Sequence, residues 1–211
     1  TSAIYFTYKN LARTIEHIGV YQENAANVSE AGGASEPQRL AAAWITASII
    51  PTLEVAPLLG RNFTDAEDLP NGPSAVIISE GLWHTRFGAD RAVIGRTLEV
   101  NGKARQIVGV MPKSFRFPSA SVRLWLPLAL DPHSPNPGGF NYAGVARLKP
   151  GVTPADAERD FRTVLPRVVE QFPNLAPGVP TQLLLDQAKP TPVLIPLLED
   201  ITGGIARTLW M

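Results

Sequence analysis

Apolar residues recur at helical spacing directly after a capping signal near the middle of the chain. Trp83 and Phe87 lie one turn apart and therefore share one face of a helix. Ser79 can accept the free amide hydrogens at the helix start, and Gly88 supplies the left-handed residue that ends many helices. The pattern predicts a short, half-buried helix.

The spacing changes from helical to alternating shortly afterwards. Leu98 and Val100 alternate with polar neighbours and lead into the dipeptide Asn101-Gly102. Asn-Gly tolerates positive φ at both central positions of a type I′ turn, which makes it a strong hairpin signal. We therefore predict a β-hairpin whose second strand runs over residues 103–110.

The remaining apolar patterns predict a mixture of short strands and helices. Strands are predicted where β-branched or aromatic residues lie between turn signals: residues 20–27, 38–46, 75–78, 121–130, 141–148 and 182–186. Helices are predicted at residues 10–17, at residues 49–55 and after Thr153, where Pro166 should kink a longer helix. This order indicates an α+β fold in which a split βαβ arrangement is interrupted by a β-rich insertion.

Two segments rich in proline and glycine interrupt the order of elements. They are residues 69–74 and the sequence DPHSPNPGG, residues 131–139. Because such segments often connect subdomains, we predict one subdomain formed by residues 1–74 and 140–200. The inserted β-rich subdomain is then formed by residues 75–139.

Charge and cysteine content exclude several classes of function. The chain of 211 residues has 19 basic and 19 acidic side chains, and this balance gives no global field that would attract nucleic acid. It has no cysteine, which excludes disulfides, thiolate metal sites and cysteine nucleophiles. No apolar run approaches the roughly twenty residues that span a bilayer. We predict no nucleic-acid partner.

No catalytic, cofactor-binding or metal-binding residue can be selected from the sequence. The three histidines are scattered, and none lies in a metal-binding pair. Ser79 lacks the GxSxG context of an activated nucleophile, and helix capping explains it. The acidic residues Asp65, Glu67 and Asp68 lack the ligand spacing of a calcium loop and are interpreted as a solvated helix start. We predict that the segment is not an enzyme.

Several motifs, taken together, resemble the periplasmic core domain of MacB-type ABC-transporter permeases, especially the relatives with a duplicated permease. In chain order they are LARTIEHIGVY, LLGRNFTDAED, SEGLWHTRFG, VIGRTLEVNG, IVGVMP, LWLPLAL and LKPGVTPADAERDF. They cover most of the chain in the family order. One departure is Glu54, where the family pattern leads us to expect a small residue, usually glycine.

The resemblance implies a function without catalysis. The split subdomain would correspond to the family's porter subdomain and the insertion to its sabre subdomain. The segment would lie in the periplasm, as part of a bacterial inner-membrane permease. Permeases of this type include efflux transporters. Residues 201–211 would begin the following transmembrane helix. It would bind a substrate or partner and transmit ATP-driven conformational change across the membrane.

The resemblance also implies partners. ATP would be bound by a separate nucleotide-binding subunit or domain, so this domain has no cofactor of its own. The cognate ATPase would be coupled to this domain through the membrane part, and the full transporter would be dimeric. The domain could bind a periplasmic partner protein or an amphipathic substrate. Two alternatives stay open: a periplasmic protein-docking adaptor and an envelope hydrolase.

Two exposed loops are candidates for partner contact. Both are rich in glycine, proline and small polar residues, which are typical of loop tips. The candidate residues are Gly32, Gly33, Ser35 and Glu36 in the first loop, and Pro135, Asn136 and Gly138 in the second.

Overall fold

Helices and strands are interspersed along the chain in a computed structural model, which describes residues 1–30, 36–135, 140–176 and 178–200. The α-helices are α1 (Ser2–Leu11), α2 (Ile49–Leu53), α3 (Glu80–Phe87), α4 (Pro154–Val164), α5 (Val168–Gln171) and α6 (Thr181–Ala188). Short 3-10 helices occupy Arg91–Val93 and Leu165–Arg167. No helix in these ranges combines the length and the apolar character needed to cross a membrane.

The strands form one large mixed sheet and a small two-stranded sheet. They are β1 (Ile15–Glu30), β2 (Gln38–Ile45), β3 (Leu59–Gly60), β4 (Ala75–Ser79), β5 (Thr97–Val100), β6 (Lys103–Met111), β7 (Leu124–Pro127), β8 (Ala143–Leu148), β9 (Asn174–Ala176) and β10 (Val179–Pro180). The predicted α+β fold class is confirmed.

The chain folds as two units. One unit contains Thr1–Ile18, Pro132–Asn141 and the residues from Val145 onward, and the other contains Gly19–Asp131 and Tyr142–Gly144. The second unit is therefore inserted between segments of the first.

Six strands of the inserted unit form a closed ring. The hydrogen-bonded order is β2, β7, β4, β6, β5, β1, and β2 also pairs with β1. Two of these pairings, β2 with β7 and β4 with β6, are parallel, and the others are antiparallel. Val28 marks the closure, since it pairs with Gln38 on β2 and with Val100 on β5. Each of the six strands thus has a hydrogen-bonded neighbour on both sides.

Successive side chains of the ring strands point to opposite faces, and both faces carry buried apolar residues. One face contributes to a cluster with the inner side of α3, formed by residues such as Val28, Ile78, Val100, Ile107 and Leu124. Trp83 belongs to this cluster and Phe87 packs against it, as predicted from their spacing. The opposite face carries Ile45, Ile77 and Trp125, which are completely buried.

The predicted division of the chain between residues 74 and 75 differs from that of the structure. Strands on both sides of this position belong to the same ring: β2 pairs with β7 through Ala42 and Leu124, and β7 pairs with β4. These backbone hydrogen bonds hold residues 19–74 in the inserted unit, so the proline-rich segment 69–74 is a loop within it. The second predicted boundary, at residue 139, lies at Asp131 instead.

Two predicted elements near the chain ends are wrong. The first helix is Ser2–Leu11 rather than residues 10–17, because Thr1 caps it through the Ile4 N–H and Ala12 is extended. The segment predicted as a strand at residues 182–186 lies in α6. In contrast, α4 begins after Thr153, as predicted, with a capping box formed by Thr153 and Asp156. A 3-10 turn at Leu165–Arg167 separates α4 from α5 where a kink at Pro166 was predicted.

Asp160 connects α4 to the start of β1 in the first unit. Its Oδ2 atom accepts the backbone N–H of Arg13 at 2.7 Å, the N–H of Thr14 at 3.0 Å and the hydroxyl of Thr14 at 2.7 Å. Burial acts to raise the pKa of Asp160, but the hydrogen bonds from Thr14 and Arg13 outweigh it and hold the pKa below its usual value. The carboxylate therefore fixes the turn between α1 and β1.

Replacing Asp160 with alanine is expected to lower the free energy of unfolding by about 2 kcal/mol, because two backbone amides and a hydroxyl lose a charged acceptor. Urea denaturation of the chain measures this change. Glu170→Ala is the control, since that exposed carboxylate makes a surface ion pair with Arg167, and its loss should cost about 0.5 kcal/mol or less. Equal losses in the two variants would contradict the role given to Asp160.

Candidate functional site

The two loops predicted to contact a partner are described only in part. Glu36 is exposed just before β2, and Pro135 is half-buried. Gly32, Gly33, Ser35, Asn136 and Gly138 lie outside the described residues. The partner-contact role of these loops stays a prediction.

The residues around α3 do not form a nucleophile and base. Ser79 caps the helix, with its Oγ accepting the N–H of Leu82 at 3.2 Å. His84 is exposed, and its Nε2 lies 3.7 Å from Glu80 Oε1. Within the described ranges no group of three histidine, aspartate or glutamate side chains is placed to hold a metal ion.

Of the acidic residues, Glu67 and Asp68 are built into the structure, contrary to the prediction of a solvated helix start, whereas Asp65 is exposed. They lie in turns, and the Glu67 side chain is buried. Arg61 donates from Nη1 and Nη2 to the two Glu67 oxygens, both at 2.8 Å, and the Thr64 N–H donates to the same carboxylate. Asp68 accepts the N–H groups of Ala47 and Ala129. These carboxylates stabilise the connection between α2 and β4, which explains the LLGRNFTDAED motif structurally.

Glu67 is expected to make the stability of the chain depend on pH. The hydrogen bond from Arg61 lowers the pKa of Glu67 below the ordinary value of 4.5, although burial opposes this. The ionised Glu67 therefore stabilises the folded chain fully above pH 4.5, and this stabilisation is lost as the pH falls through the folded-state pKa. We expect the free energy of unfolding of Glu67→Gln to fall less steeply below this pH than that of the unchanged chain. Denaturation curves measured across the acid range test this, and parallel curves for the two proteins would contradict it.

A half-open groove of about 760 Å³ lies at the carboxyl ends of β4 and β6 in the inserted unit. Its walls come from the start of β2, the first turns of α3 and the loop of residues 112–123. Apolar side chains on three of these segments line it: Leu40, Leu82, Phe115 and Val122. All of them except Leu40 are buried.

Hydrogen bonds and aromatic contacts hold the groove loop, residues 112–123, in place. Trp125 donates its Nε1–H to the carbonyl of Phe117 at 2.8 Å, and the ring of Phe115 lies 5.1 Å from the ring of Trp125. Glu23 on β1 accepts the hydroxyls of Ser119 and Ser121. Because these contacts anchor the loop at several points, the groove is preformed.

The charged side chains at the groove are mostly basic. Lys113, Arg116 and Arg123 line it and are exposed. Glu80 is the carboxylate among the lining residues, and its Oε2 already accepts the backbone N–H of Lys113 at 2.7 Å. In the part of the chain that the structure describes, the three cationic side chains have no ion pair or hydrogen bond. This arrangement suits the binding of an anionic group.

Sequence reasoning did not find this groove. Its lining residues come from β2, α3 and the loop of residues 112–123, which are far apart in the chain. The basic residues Lys113, Arg116 and Arg123 are only a weak sequence signal for a binding site, because exposed basic residues are common in loops. Only the ring of strands brings these segments together.

The fold and the motifs agree with a periplasmic domain of an ABC-transporter permease. The sequence model of the MacB-like periplasmic core domain matches residues 5–164, so the chain belongs to this family. This confirms the resemblance found in the motifs. No curated protein matches the chain significantly.

Three solved structures share the fold. The periplasmic region of MacB from Actinobacillus actinomycetemcomitans is 15% identical over 90% of this chain and 83% of its own, with a TM-score of 0.58. A domain of a putative permease protein from Porphyromonas gingivalis is 16% identical over 76% of this chain and 68% of its own, with a TM-score of 0.58. The extracellular domain of the noncanonic ABC-type transporter YknZ from Gram-positive bacteria is 14% identical over 90% of this chain and 83% of its own, with a TM-score of 0.52. At these identities the likeness concerns the fold alone.

Proposed function

We propose that this domain transmits ATP-driven conformational change from the membrane part of a MacB-like permease to the periplasm. The observation that carries the proposal is the family match over residues 5–164. The permease would work in the inner membrane with a cognate ATPase that binds the nucleotide, so no cofactor is needed in this domain. The full transporter would contain two copies of the permease fold.

The nesting of the two units supports this role. Helix α1 and the described residues after Val145 belong to one unit, and the other unit is inserted between them. Membrane segments attached at both flanks would therefore act on the same unit. Strand β1 passes from Ile18 to Gly19, and so from one unit into the other, without leaving the strand conformation.

Distances in the full-length permease test the proposal. This segment has no native cysteine. In a permease whose other cysteines have been replaced, a single Lys103→Cys at the exposed start of β6 in the inserted unit accepts one spin label per copy. With the cognate ATPase in a lipid environment, we expect the distance between the labels on the two copies to differ between nucleotide-free and ATP-trapped states. His17→Cys reports in the same way on the other unit.

An ATPase variant that cannot bind ATP is the control and should abolish the change. Unchanged distances at both positions in a preparation that hydrolyses ATP would overturn the proposed transmission.

A further inference from the structure

We propose that the groove lined by α3 and the groove loop is a docking site for an acidic segment of a partner protein that also carries apolar side chains. This goes beyond the proposed transmission role, because it concerns what the domain holds rather than how it moves. It rests on charge, on the apolar lining and on the anchoring of the loop.

The first support is a local excess of positive charge. Lys113, Arg116 and Arg123 line the groove together with one carboxylate, Glu80, whereas the whole chain is neutral. Glu80 is already engaged by the Lys113 backbone. Within the described ranges the cationic side chains have no partner of their own, so they can pair with carboxylates of an incoming segment at little cost.

The second support is the apolar lining between these charges. Leu40 is half-buried at one wall, whereas Phe115 and Val122, which form part of the other, are already buried. An acidic segment without apolar side chains would leave Leu40 in contact with water. A segment in which both types occur would cover it and place its carboxylates at the rim, which is the usual arrangement of a protein interface.

The distribution of the cations favours a protein segment over a single lipid headgroup. Lys113 lies just after β6, Arg116 lies within the loop, and Arg123 immediately precedes β7. A lipid carries its charge at one end, whereas an extended segment can present carboxylates at several points. Because every ring strand already has two neighbours, such a segment would be recognised by its side chains and not by strand addition at the ring.

The anchoring of the groove loop lowers the cost of binding. The contacts of Glu23, Phe117 and Trp125 fix the loop before any ligand arrives. Little conformational entropy is then lost on docking, and this loss is a main cost of association.

Binding of short labelled peptides to the chain, followed by fluorescence anisotropy, tests the proposal. We expect a peptide in which glutamate alternates with leucine to bind, and to bind more weakly as salt is added. Peptides of equal length in which lysine replaces glutamate, or serine replaces leucine, should bind at least about tenfold more weakly. Equal binding of the lysine peptide, or no binding of the glutamate–leucine peptide, would overturn the proposal.

Matched charge reversals separate the groove from the net charge of the chain. The double variant Lys113→Glu/Arg116→Glu should weaken binding of the glutamate–leucine peptide by about tenfold or more. The control Arg91→Glu/Lys103→Glu changes the net charge equally at exposed positions outside the groove lining and should leave affinity within about twofold. Thermal melting verifies that both variants are folded.

Equal losses in the two double variants would show non-specific attraction and contradict the proposal. The last experiment measures binding of the chain to vesicles that contain an anionic lipid. If the unchanged chain binds vesicles but no peptide, and the groove variant loses vesicle binding, the surface is a lipid site and the proposal is overturned. A failure in any of these arms leaves the spin-label distances in the permease unaffected, so the two proposals can fail separately.

Discussion

Replacing Trp125 with alanine is expected to lower the free energy of unfolding by about 3 to 5 kcal/mol, the largest effect of any single truncation considered for this chain. Trp125 is completely buried on β7 and makes two kinds of contact. Its ring packs against Phe115, and its Nε1–H donates to the carbonyl of Phe117. Truncation would leave a cavity beneath the groove loop and an unpaired carbonyl. Urea denaturation followed by circular dichroism measures the loss.

The variant Trp125→Phe separates packing from hydrogen bonding. Phenylalanine keeps most of the apolar volume but cannot donate to Phe117, so we expect a smaller loss of about 1 to 2 kcal/mol. If Trp125→Ala unfolded with the midpoint of the unchanged chain, the burial of this side chain would be refuted. Because the tryptophan anchors the loop, Trp125→Phe should also weaken peptide binding at the groove less than the charge reversals do.

Replacing Gly60 with alanine is expected to cost about 3 kcal/mol, for two reasons that act together. Gly60 has a φ of +71°, a conformation that alanine adopts only with strain. A Cβ atom there would also lie 2.2 Å from the carbonyl oxygen of Val108, far inside contact distance. The backbone of β3 would have to move away from β6, with which Gly60 pairs at Gly109.

The control for this prediction is Gly88→Ala. Gly88 has a similar φ of +58° at the end of α3, but a Cβ atom there would meet nothing within 4 Å. Only the backbone strain then remains, and we expect a loss of about 1 kcal/mol. Losses of the same size in both variants would mean that the close approach of Val108 is relieved without cost.

The parts of the fold that were predicted correctly are those with strong local signals. Ser79 and Gly88 set the bounds of α3, and Asn101-Gly102 turns the hairpin with φ values of +51° and +73°. Glu54 is the informative exception: the resemblance predicts a small residue there, usually glycine, and the structure gives Glu54 a φ of +55°. This left-handed conformation is one that glycine adopts more readily than glutamate.

The parts that were missed depend on contacts between distant segments. The start of β1 is set by Asp160 on α4, which no local pattern around Thr14 could reveal. In sequence, Arg61 and Glu67 look like ordinary surface charges, because the burial of Glu67 comes from the surrounding turns while Arg61 stays half exposed. The groove was missed for the same reason, since Leu40 and Lys113 meet only after the ring has formed.

The closed ring also determines the order in which this unit can be completed during synthesis. Strand β2 hydrogen-bonds to β7, and every other ring strand except β1 lies between them in sequence. The ring therefore cannot close until the chain has been made beyond Pro127, and β1 and β2 must wait as an unsatisfied hairpin with an open edge. Pairing between such distant strands is slow, and open edges invite association with other chains. We expect the hairpin of β1 and β2 to stay prone to association with other chains until β7 has been inserted.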